Sequence, residues 1–366
     1  MAYAARTTSM RAHAGQLGPT FRARNVMLQR LESGLWELEL SFQCTGLPRC
    51  DLIGKSDPFV VVMTRDSTSN SDSDWRESVR TETIFEEQAN ARFVSKFIRS
   101  FASPADAKLE FELVVYDRDA KSETLRRHDL IGAARFRMHQ LCSAPDHTLE
   151  LDLGKSAPST STATSPPRSG NKVSSMKSSS NNATDCNHES SSSSRRGVII
   201  VRAVAIPLRG ARDVGGELIE VDTRTILFEV RVEKLGFGCS YVLSRQSNTA
   251  AVFVPMHRSE RVSSSGGAFA AVSVRVSQLL LGEMDTQLRL ELYRAGKFAA
   301  NSGASGKILG YAQVSLKQLL SQNVGSELAW FPAVIDAKEE FKIELKQRAA
   351  HEDSLVVSIV TSLASQ

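Results

Sequence analysis

Short β-rich runs, either alternating apolar and polar residues or apolar throughout, recur along the chain. In the first half they include Leu35–Phe42, Phe59–Met63 and Leu109–Tyr116, and in the second half Thr225–Val232 and Leu288–Tyr293. Alternation with a period of two places one face of an extended strand in a core and the other toward solvent. The pattern therefore predicts an all-β chain with two strand-rich parts.

Residues 154–196 separate from this pattern by their composition, which is mainly Ser, Thr, Pro, Asn and basic residues with almost no large apolar side chains. Such a segment cannot bury enough apolar surface to offset its conformational entropy, so we expect it to be disordered. The apolar run Gly197–Ile206 follows it and predicts a buried strand. Because closure entropy grows only slowly with loop length, the Ser-rich tract can be an insertion within a domain.

Five aspartates lie at the edges of apolar runs in the first half: Asp51, Asp57, Asp117, Asp119 and Asp129. Each one alone has an ordinary alternative role as a turn residue that ends a strand. If two loops of one sandwich meet at a rim, however, the carboxylates lie close together and destabilise one another unless a cation is bound. Calcium accepts six to eight oxygen ligands in a flexible geometry, so the pattern predicts a calcium site.

At these residues the sequence resembles a C2 domain, a β-sandwich that binds calcium and then phospholipid through loops at one end. Ser56-Asp57-Pro58-Phe59 resembles the first calcium loop of that family, and Tyr116-Asp117-Arg118-Asp119 with Asp129-Leu130-Ile131-Gly132 resembles the third. The resemblance implies that the metal ligands are Asp51, the Leu52 carbonyl, Asp57, Asp117, Asp119 and Asp129. One departure is the third loop, which is longer than in the commonest members.

A finer resemblance is to copines, which carry two C2 domains before a von Willebrand A-type domain. Val79–Ile84 is similar to the Arg-Thr-Glu strand of that family, and a related element recurs at His257–Val262. An internal repeat at domain spacing indicates duplication. No third domain precedes Gln366, so the sequence is interpreted either as a short copine-like protein or as an incomplete one.

We therefore expect a disordered basic arm over residues 1–32, a first, calcium-competent C2 domain over 33–206 that contains the insertion 154–196, a linker over 207–221 and a second, divergent C2 domain over 222–363. Each C2 domain is expected to be an eight-stranded antiparallel β-sandwich. The ambiguous run Ala91–Phe101, which also fits a helix, is interpreted as a strand of the first. The second domain lacks the calcium ligands, since Tyr293-Arg294 stands where the first has Tyr116-Asp117.

Composition narrows the class of protein further. The five cysteines are odd in number and lack C-x-x-C spacing, so neither a disulfide framework nor a zinc site is favoured. The net charge of +4 comes from Lys and Arg scattered among acids, which does not favour nucleic acid as a partner. No apolar run approaches the ~20 residues of a membrane span. Before Glu32 the chain is Arg-rich and acid-free, which fits a flexible arm or a mitochondrial transit peptide.

The function implied by the resemblance is calcium-dependent docking on anionic phospholipid membranes, in a cytoplasmic protein recruited to the plasma membrane or vesicles for trafficking or signalling. The expected membrane-binding residues are Ile53 and Leu125 at the loop tips, with Lys55, Lys121, Arg126 and Arg127 around them. The alternatives are packing beneath the loops for the apolar pair and ordinary solvated charge for the basic residues. The second hypothesis is a C2-type scaffold with little calcium dependence, whose second domain binds proteins. No nucleophile or phosphate-loop signature predicts an enzyme.

Overall fold

The computed structural model describes residues 25–363, with gaps at 51–55, 67–73, 86–89, 102–103, 155–196, 214, 234, 248–251, 281–284, 296–305, 322–326, 329, 333–340 and 350–353. Most of the predicted basic arm and nearly all of the Ser-rich insertion lie outside these described residues. The same holds for four predicted site residues of the first loop, namely Asp51, Leu52, Ile53 and Lys55.

Nine described strands form the first sandwich: β1 (Trp36–Thr45), β2 (Pro58–Asp66), β3 (Arg76–Arg80), β4 (Asn90–Arg92), β5 (Phe97–Ser100), β6 (Leu109–Asp117), β7 (Asp129–Arg137), β8 (Thr148–Asp152) and β9 (Val198–Pro207). One sheet has the order β3-β2-β6-β7, and the other has the order β4-β1-β9-β8 with β5 also beside β1. Because β4 and β5 are two parts of one strand position, the sandwich has the eight positions that the sequence predicts. Ala91–Phe101 is thus an interrupted strand.

The core of the first sandwich lies between these two sheets. Alternate residues of β1, such as Leu38 and Leu40, are fully buried, and they pack with Val62, Leu113 and Val201 from β2, β6 and β9. Burying each such side chain contributes roughly 1.5 to 3 kcal/mol. The strand β9, which follows the Ser-rich insertion, pairs with all ten residues of β1. The first sandwich is therefore closed by residues beyond the insertion.

Eleven described strands form the second sandwich: β10 (Thr225–Glu233), β11 (Cys239–Gln246), β12 (Phe253–Arg258), β13 (Gly266–Ala268), β14 (Val272–Arg275), β15 (Gln287–Ala295), β16 (Gly306–Ser315), β17 (Glu327–Leu328), β18 (Trp330–Pro332), β19 (Phe341–Ala349) and β20 (Ser354–Leu363). One sheet has the order β12-β11-β15-β16-β18, and the other has the order β13-β10-β20-β19-β17 with β14 also beside β10. Among the described strand pairs only β10 and β20 run parallel. The two sandwiches confirm the all-β fold.

The helices are short: α1 (Val26–Glu32), α2 (Met138–Ser143), α3 (Val276–Leu280) and α4 (Leu316–Leu320), with 3-10 helices at Pro104–Lys108, Leu125–Arg127 and Pro145–His147. Helix α1 falls within the arm that the sequence analysis expects to be disordered, and that expectation is wrong for these seven residues. Asn25 caps the helix by accepting a hydrogen bond from the Leu28 N–H at 3.2 Å. Met27 and Leu31 are then buried in the first core.

Residues of the predicted linker 207–221 also fold back on the first sandwich. The Leu208 N–H donates to the Leu35 carbonyl at 2.9 Å, and the Ile219 N–H donates to the Ala211 carbonyl at 2.8 Å. Ala211 is fully buried in the first core. This part of the chain is therefore packed against the first domain instead of spanning freely between the two.

The repeated Arg-Thr/Ser-Glu element makes the same contacts in both sandwiches. The Thr81 N–H donates to the Val60 carbonyl at 2.9 Å while the Thr81 hydroxyl accepts from the Val60 N–H at 2.9 Å. Ser259 makes the matching pair of bonds with Tyr241, at 2.9 Å and 2.8 Å. In each case the following glutamate accepts from a backbone N–H on the opposite sheet. The predicted internal repeat is therefore a structural repeat.

Candidate functional site

Three of the predicted acidic residues are brought to one end of the first sandwich by strand register. Strand β2 begins at Pro58, β6 ends at Asp117 and β7 begins at Asp129, and these three residues are direct partners across the sheet. Asp57 immediately precedes β2 at the same edge. We call this end, formed by Asp57, Asp117, Asp119 and Asp129, the acidic rim.

Hydrogen bonds tie the loops of the acidic rim to each other. The Asp57 N–H donates to Asp117 Oδ1 at 2.6 Å, and the Arg118 N–H donates to the Asp57 carbonyl at 3.1 Å. The Asp129 N–H donates to Asp119 Oδ2 at 2.7 Å. Asp117 is fully buried, whereas Asp119 is exposed. The Asp117 and Asp119 carboxylates thus each accept a hydrogen bond from a backbone N–H of a neighbouring loop, which is a strong bond when the acceptor is ionised.

His128 is a buried residue whose ring contacts the backbone of the third loop at two places. Its Nδ1 accepts from the Asp119 N–H at 3.3 Å, and its Nε2 lies 2.8 Å from the Ser122 carbonyl. A carbonyl only accepts, so these partners assign the proton to Nε2. The ring is buried and meets Phe59 edge-on with centroids 5.3 Å apart. The sequence analysis gives this histidine no role, and no local pattern signals one.

Ser56 plays a comparable part in the stem of the first loop. Its side chain is fully buried, donates to the Pro48 carbonyl at 3.1 Å and accepts from the Cys50 N–H at 3.2 Å. Cys50 itself is disulfide-bonded, whereas Cys44, Cys142 and Cys239 are buried free thiols. The sequence analysis disfavours a disulfide framework, and one bond at Cys50 is not such a framework. Spacing along the chain does not reveal which cysteines a fold brings together.

The third loop also places the predicted membrane-binding residues. Lys121, Arg126 and Arg127 are exposed on it, and their contact with lipid phosphate stays a prediction. Leu125 is half-buried and packs on an apolar cluster on the outer face of the β3-β2-β6-β7 sheet. We call it the outer apolar cluster, and its buried members are Phe59, Val61, Met63, Trp75, Val114 and Tyr116. Leu125 therefore takes the alternative position beneath the loop, and its insertion into lipid stays a prediction.

A cavity of about 380 Å³ lies between the acidic rim and the strand β3. Arg80, Glu82, Arg118 and His128 are among its lining residues. Arg80 pairs with Glu77 at 3.0 Å and with Glu123 at 3.1 Å, while its guanidinium lies 5.9 Å from the centre of the Phe59 ring. The wall of the cavity is therefore of mixed charge, and its Arg80 is already paired with two carboxylates.

The acidic rim matches calcium in donor chemistry, because its side chains are hard oxygen donors delivered by two loops. In the part of the chain that the structure describes, however, no three His, Cys, Asp or Glu side chains form a group that could hold a metal. Asp51, the predicted fifth carboxylate, and the Leu52 carbonyl are not among those residues. The calcium ligand set therefore stays a prediction.

At the corresponding edge of the second sandwich, β15 carries Arg294 where β6 ends with Asp117. The Arg294 guanidinium lies 4.4 Å from the centre of the Phe237 ring, which follows β10. A cation–π contact thus stands where the first sandwich has a carboxylate. That the second domain holds no calcium stays a prediction.

Comparison with known proteins gives one family match and several similar structures. Residues 39–153 match the C2 domain family. The C2A domain of plant extended synaptotagmin 1 is 16% identical over 48% of this chain and 96% of that one, with a TM-score of 0.28. The Drosophila RIM C2A domain is 19% identical over 28% of this chain and 86% of that one, with a TM-score of 0.21.

Human GIVD cytosolic phospholipase A2 is 14% identical over 80% of this chain but 30% of its own length, with a TM-score of 0.25. Among the described helices none combines the length and the apolar character that a membrane span needs. The family match spans β1 to β8 and ends just before the insertion, so β9 completes the same sandwich from outside the matched region. The first sandwich of this chain is a C2 domain.

Proposed function

We propose that this protein is a peripheral membrane-binding protein that docks on anionic phospholipid through the acidic rim of its first sandwich in a calcium-dependent manner. The observation that supports this most is the strand register, which brings Asp57, Asp117 and Asp129 to one edge of a C2 domain. C2 domains commonly bind phospholipid membranes. The proposal places the protein in the cytoplasm, with recruitment to plasma or vesicle membranes for trafficking or signalling, and it includes no catalytic step.

Each set of side chains has a distinct part in such docking. The rim carboxylates repel anionic headgroups electrostatically as long as their charge is not neutralised. Calcium, when bound, supplies positive charge and coordination positions that lipid phosphate oxygens can complete. Lys121, Arg126 and Arg127 project from the adjacent loop, where each contributes roughly 1 kcal/mol of attraction to an anionic surface. The copine-like assignment belongs to this proposal and rests on the repeated Arg-Thr/Ser-Glu element.

A second candidate is a C2-type scaffold that binds a protein with little calcium dependence. One observation favours it: the described residues contain no metal-binding group of three or more side chains. The two candidates differ in what a membrane assay with calcium reports.

The test is co-sedimentation of the full-length protein with vesicles of phosphatidylserine and phosphatidylcholine, with calcium or with a chelator. We expect calcium to raise the bound fraction, and we expect Asp57→Asn and Asp117→Asn to remove that increase, because each takes a carboxylate from the rim. Asp285→Asn is the matched control, since this exposed residue lies two residues before β15, away from the rim. It makes the same change in charge and should behave as wild type.

Because asparagine removes negative charge, binding in chelator should not fall in the two rim variants. Binding that is equal with calcium and chelator, in wild type and in all variants, contradicts the proposal and supports the scaffold. Equal loss in Asp285→Asn would mean that net charge, and not the rim, controls docking.

A further inference from the structure

A band of charged side chains lies between the two sandwiches. On the first sandwich it is formed by Glu39, Arg92 and Lys96, which project outward from β1, β4 and the connection between β4 and β5. On the second it is formed by Arg245, Arg258 and Glu291 from β11, β12 and β15. We call these six residues the docking seam.

The centre of the docking seam is an ion pair removed from solvent. Arg245 Nη2 lies 2.6 Å from Glu39 Oε1, and the two side chains are only 1% and 2% exposed. Arg245 also donates to the Gln278 carbonyl in α3. Glu39 points away from the core of its own sandwich, since its neighbours Leu38 and Leu40 fill that core. It is buried because the second sandwich covers it.

A second ion pair lies farther along the same face. Arg92 Nη2 lies 2.5 Å from Glu291 Oε2 and donates to the Tyr293 hydroxyl at 2.9 Å. The Tyr293 hydroxyl donates in turn to Glu291 Oε2 at 3.0 Å. Burial alone would lower the pKa of Arg92, but Glu291 and Tyr293 beside it raise that pKa overall. The pairing therefore outweighs the loss of solvent around the guanidinium.

Backbone carbonyls complete the docking seam. Arg258 Nη2 donates to the Arg92 carbonyl at 2.9 Å, and Lys96 Nζ donates to the Pro255 carbonyl at 2.7 Å. These bonds cross between the sandwiches in both directions. Four of the six seam residues are thus bonded to the other sandwich through a charged partner and two through a backbone carbonyl.

The corresponding face of the first sandwich is built differently. There the outward positions of β2 and β6 carry the outer apolar cluster, in which Phe59 pairs with Tyr116 across the sheet. In the second sandwich the same positions carry Ser240 and Tyr293, which pair in the same way. The repeated arginine also diverges: Arg80 lies over Phe59, whereas Arg258 reaches the first sandwich. One repeat of the duplicated domain has a polar, docked face where the other has an apolar one.

We propose that the outer face of β11, β12 and β15 is a docking surface for the first sandwich of the same chain, specified by the Glu39–Arg245 and Arg92–Glu291 ion pairs. Removing one member of a buried ion pair leaves an uncompensated charge, so the pairs select one arrangement of the sandwiches over others. The two sandwiches then behave as one rigid unit. This face of the second sandwich is consequently closed to any other protein while the docking seam is intact, and the inference does not depend on calcium.

The test is the distance between spin labels on the full-length protein, measured by double electron–electron resonance. The labels are attached through a keto-bearing non-natural amino acid at His139 in α2 and Lys317 in α4, both exposed, so that the native cysteines are left alone. We expect one narrow distance distribution in the parent protein. Glu39→Arg should broaden it, and the milder Arg92→Gln should do so in part.

Glu112→Gln is the matched control, because Glu112 is equally buried and pairs with Arg135 within the first sandwich at 2.8 Å. It should leave the distribution narrow, and circular dichroism should show folded β structure in every variant. A broad distribution in the parent protein would overturn the proposal, and so would a narrow one that persists in both Glu39→Arg and Arg92→Gln. The same narrow distance in a mixture of singly labelled chains would assign the docking seam to two copies instead.

Discussion

Glu82 of the repeated element offers a test with its control built into the chain. Its carboxylate accepts three hydrogen bonds from the segment after β4: from the Val94 N–H at 2.5 Å, the Ser95 N–H at 3.0 Å and the Ser95 hydroxyl at 2.6 Å. Its counterpart Glu260 accepts one, from the Ala270 N–H at 2.6 Å. Replacing each with alanine removes these bonds from equivalent places in the two sandwiches.

The expected magnitudes follow from the number of bonds and the exposure. Hydrogen bonds to a charged group contribute about 1.5 to 3 kcal/mol each, but water replaces part of that at the half-buried Glu82. We therefore expect Glu82→Ala to lower the local opening free energy at Val94 and Ser95 by about 3 kcal/mol, which is about 100-fold faster amide exchange. At the exposed Glu260, alanine should cost about 1 kcal/mol, or about fivefold at Ala270.

The assay is hydrogen–deuterium exchange of the native full-length protein, read by mass spectrometry in peptides that cover residues 90–101 and 266–275. If residues 90–101 exchange as slowly in Glu82→Ala as in wild type, the reasoning is refuted, because the carboxylate would then not hold this segment. An equal effect of both substitutions would show that the number of bonds does not set the stability. Peptides from β6 serve as the internal reference and should not change.

Three further predictions concern pH and packing. Burial lowers the pKa of Lys96 to about 8, and the charges of Glu39, Glu82, Arg202 and Arg245 also act on it. Because the unfolded chain keeps this proton up to a higher pH, the free energy of unfolding should rise with pH between about 8 and 10.5. Thermal unfolding measured across that range should show the rise in wild type and lose it in Lys96→Met. Burial raises the pKa of Glu110, but hydrogen bonds from Arg65 and Arg137 lower that pKa overall. The contribution of the Glu110 carboxylate to the stability of the fold is therefore complete above the ordinary pKa of 4.5 and is lost as pH falls through the lower folded pKa. Glu110→Gln should flatten the acid side of a stability profile measured by urea unfolding. A Cβ at Gly132 would lie 2.9 Å from Leu153 Cβ, so Gly132→Ala should destabilise by about 1 to 3 kcal/mol in the same urea assay, whereas Gly154→Ala meets only an ordinary 3.6 Å contact and should be close to neutral.

The strands and the duplication could be predicted from sequence because both are local signals. Alternation sets which face of a strand is buried, and the Arg-Thr/Ser-Glu element carries its own hydrogen bonds in both copies. The docking seam could not be predicted in this way. Glu39 alternates with Leu38 and Leu40 and so reads as a solvent-facing residue, and only the position of the second sandwich buries it.

Helix α1 was missed for a related reason. Its buried apolar pair, Met27 and Leu31, spans a single turn, and a helix of seven residues is not stable without tertiary packing. At the acidic rim, the sequence identified aspartates that register brings to one edge. The roles of Ser56 and His128 were not visible, because both depend on backbone atoms of loops whose course the sequence does not specify.

The residues that flank the Ser-rich insertion, Leu153 and Gly197, lie next to each other in the fold. The Leu153 N–H donates to the Gly197 carbonyl at 3.1 Å, and β8 and β9 on either side pair with each other. A protease cut inside residues 155–196 would therefore yield two fragments that stay associated, because the full length of β9 remains paired with β1. The first sandwich is thus held together across the insertion by strand pairing on both sides of it.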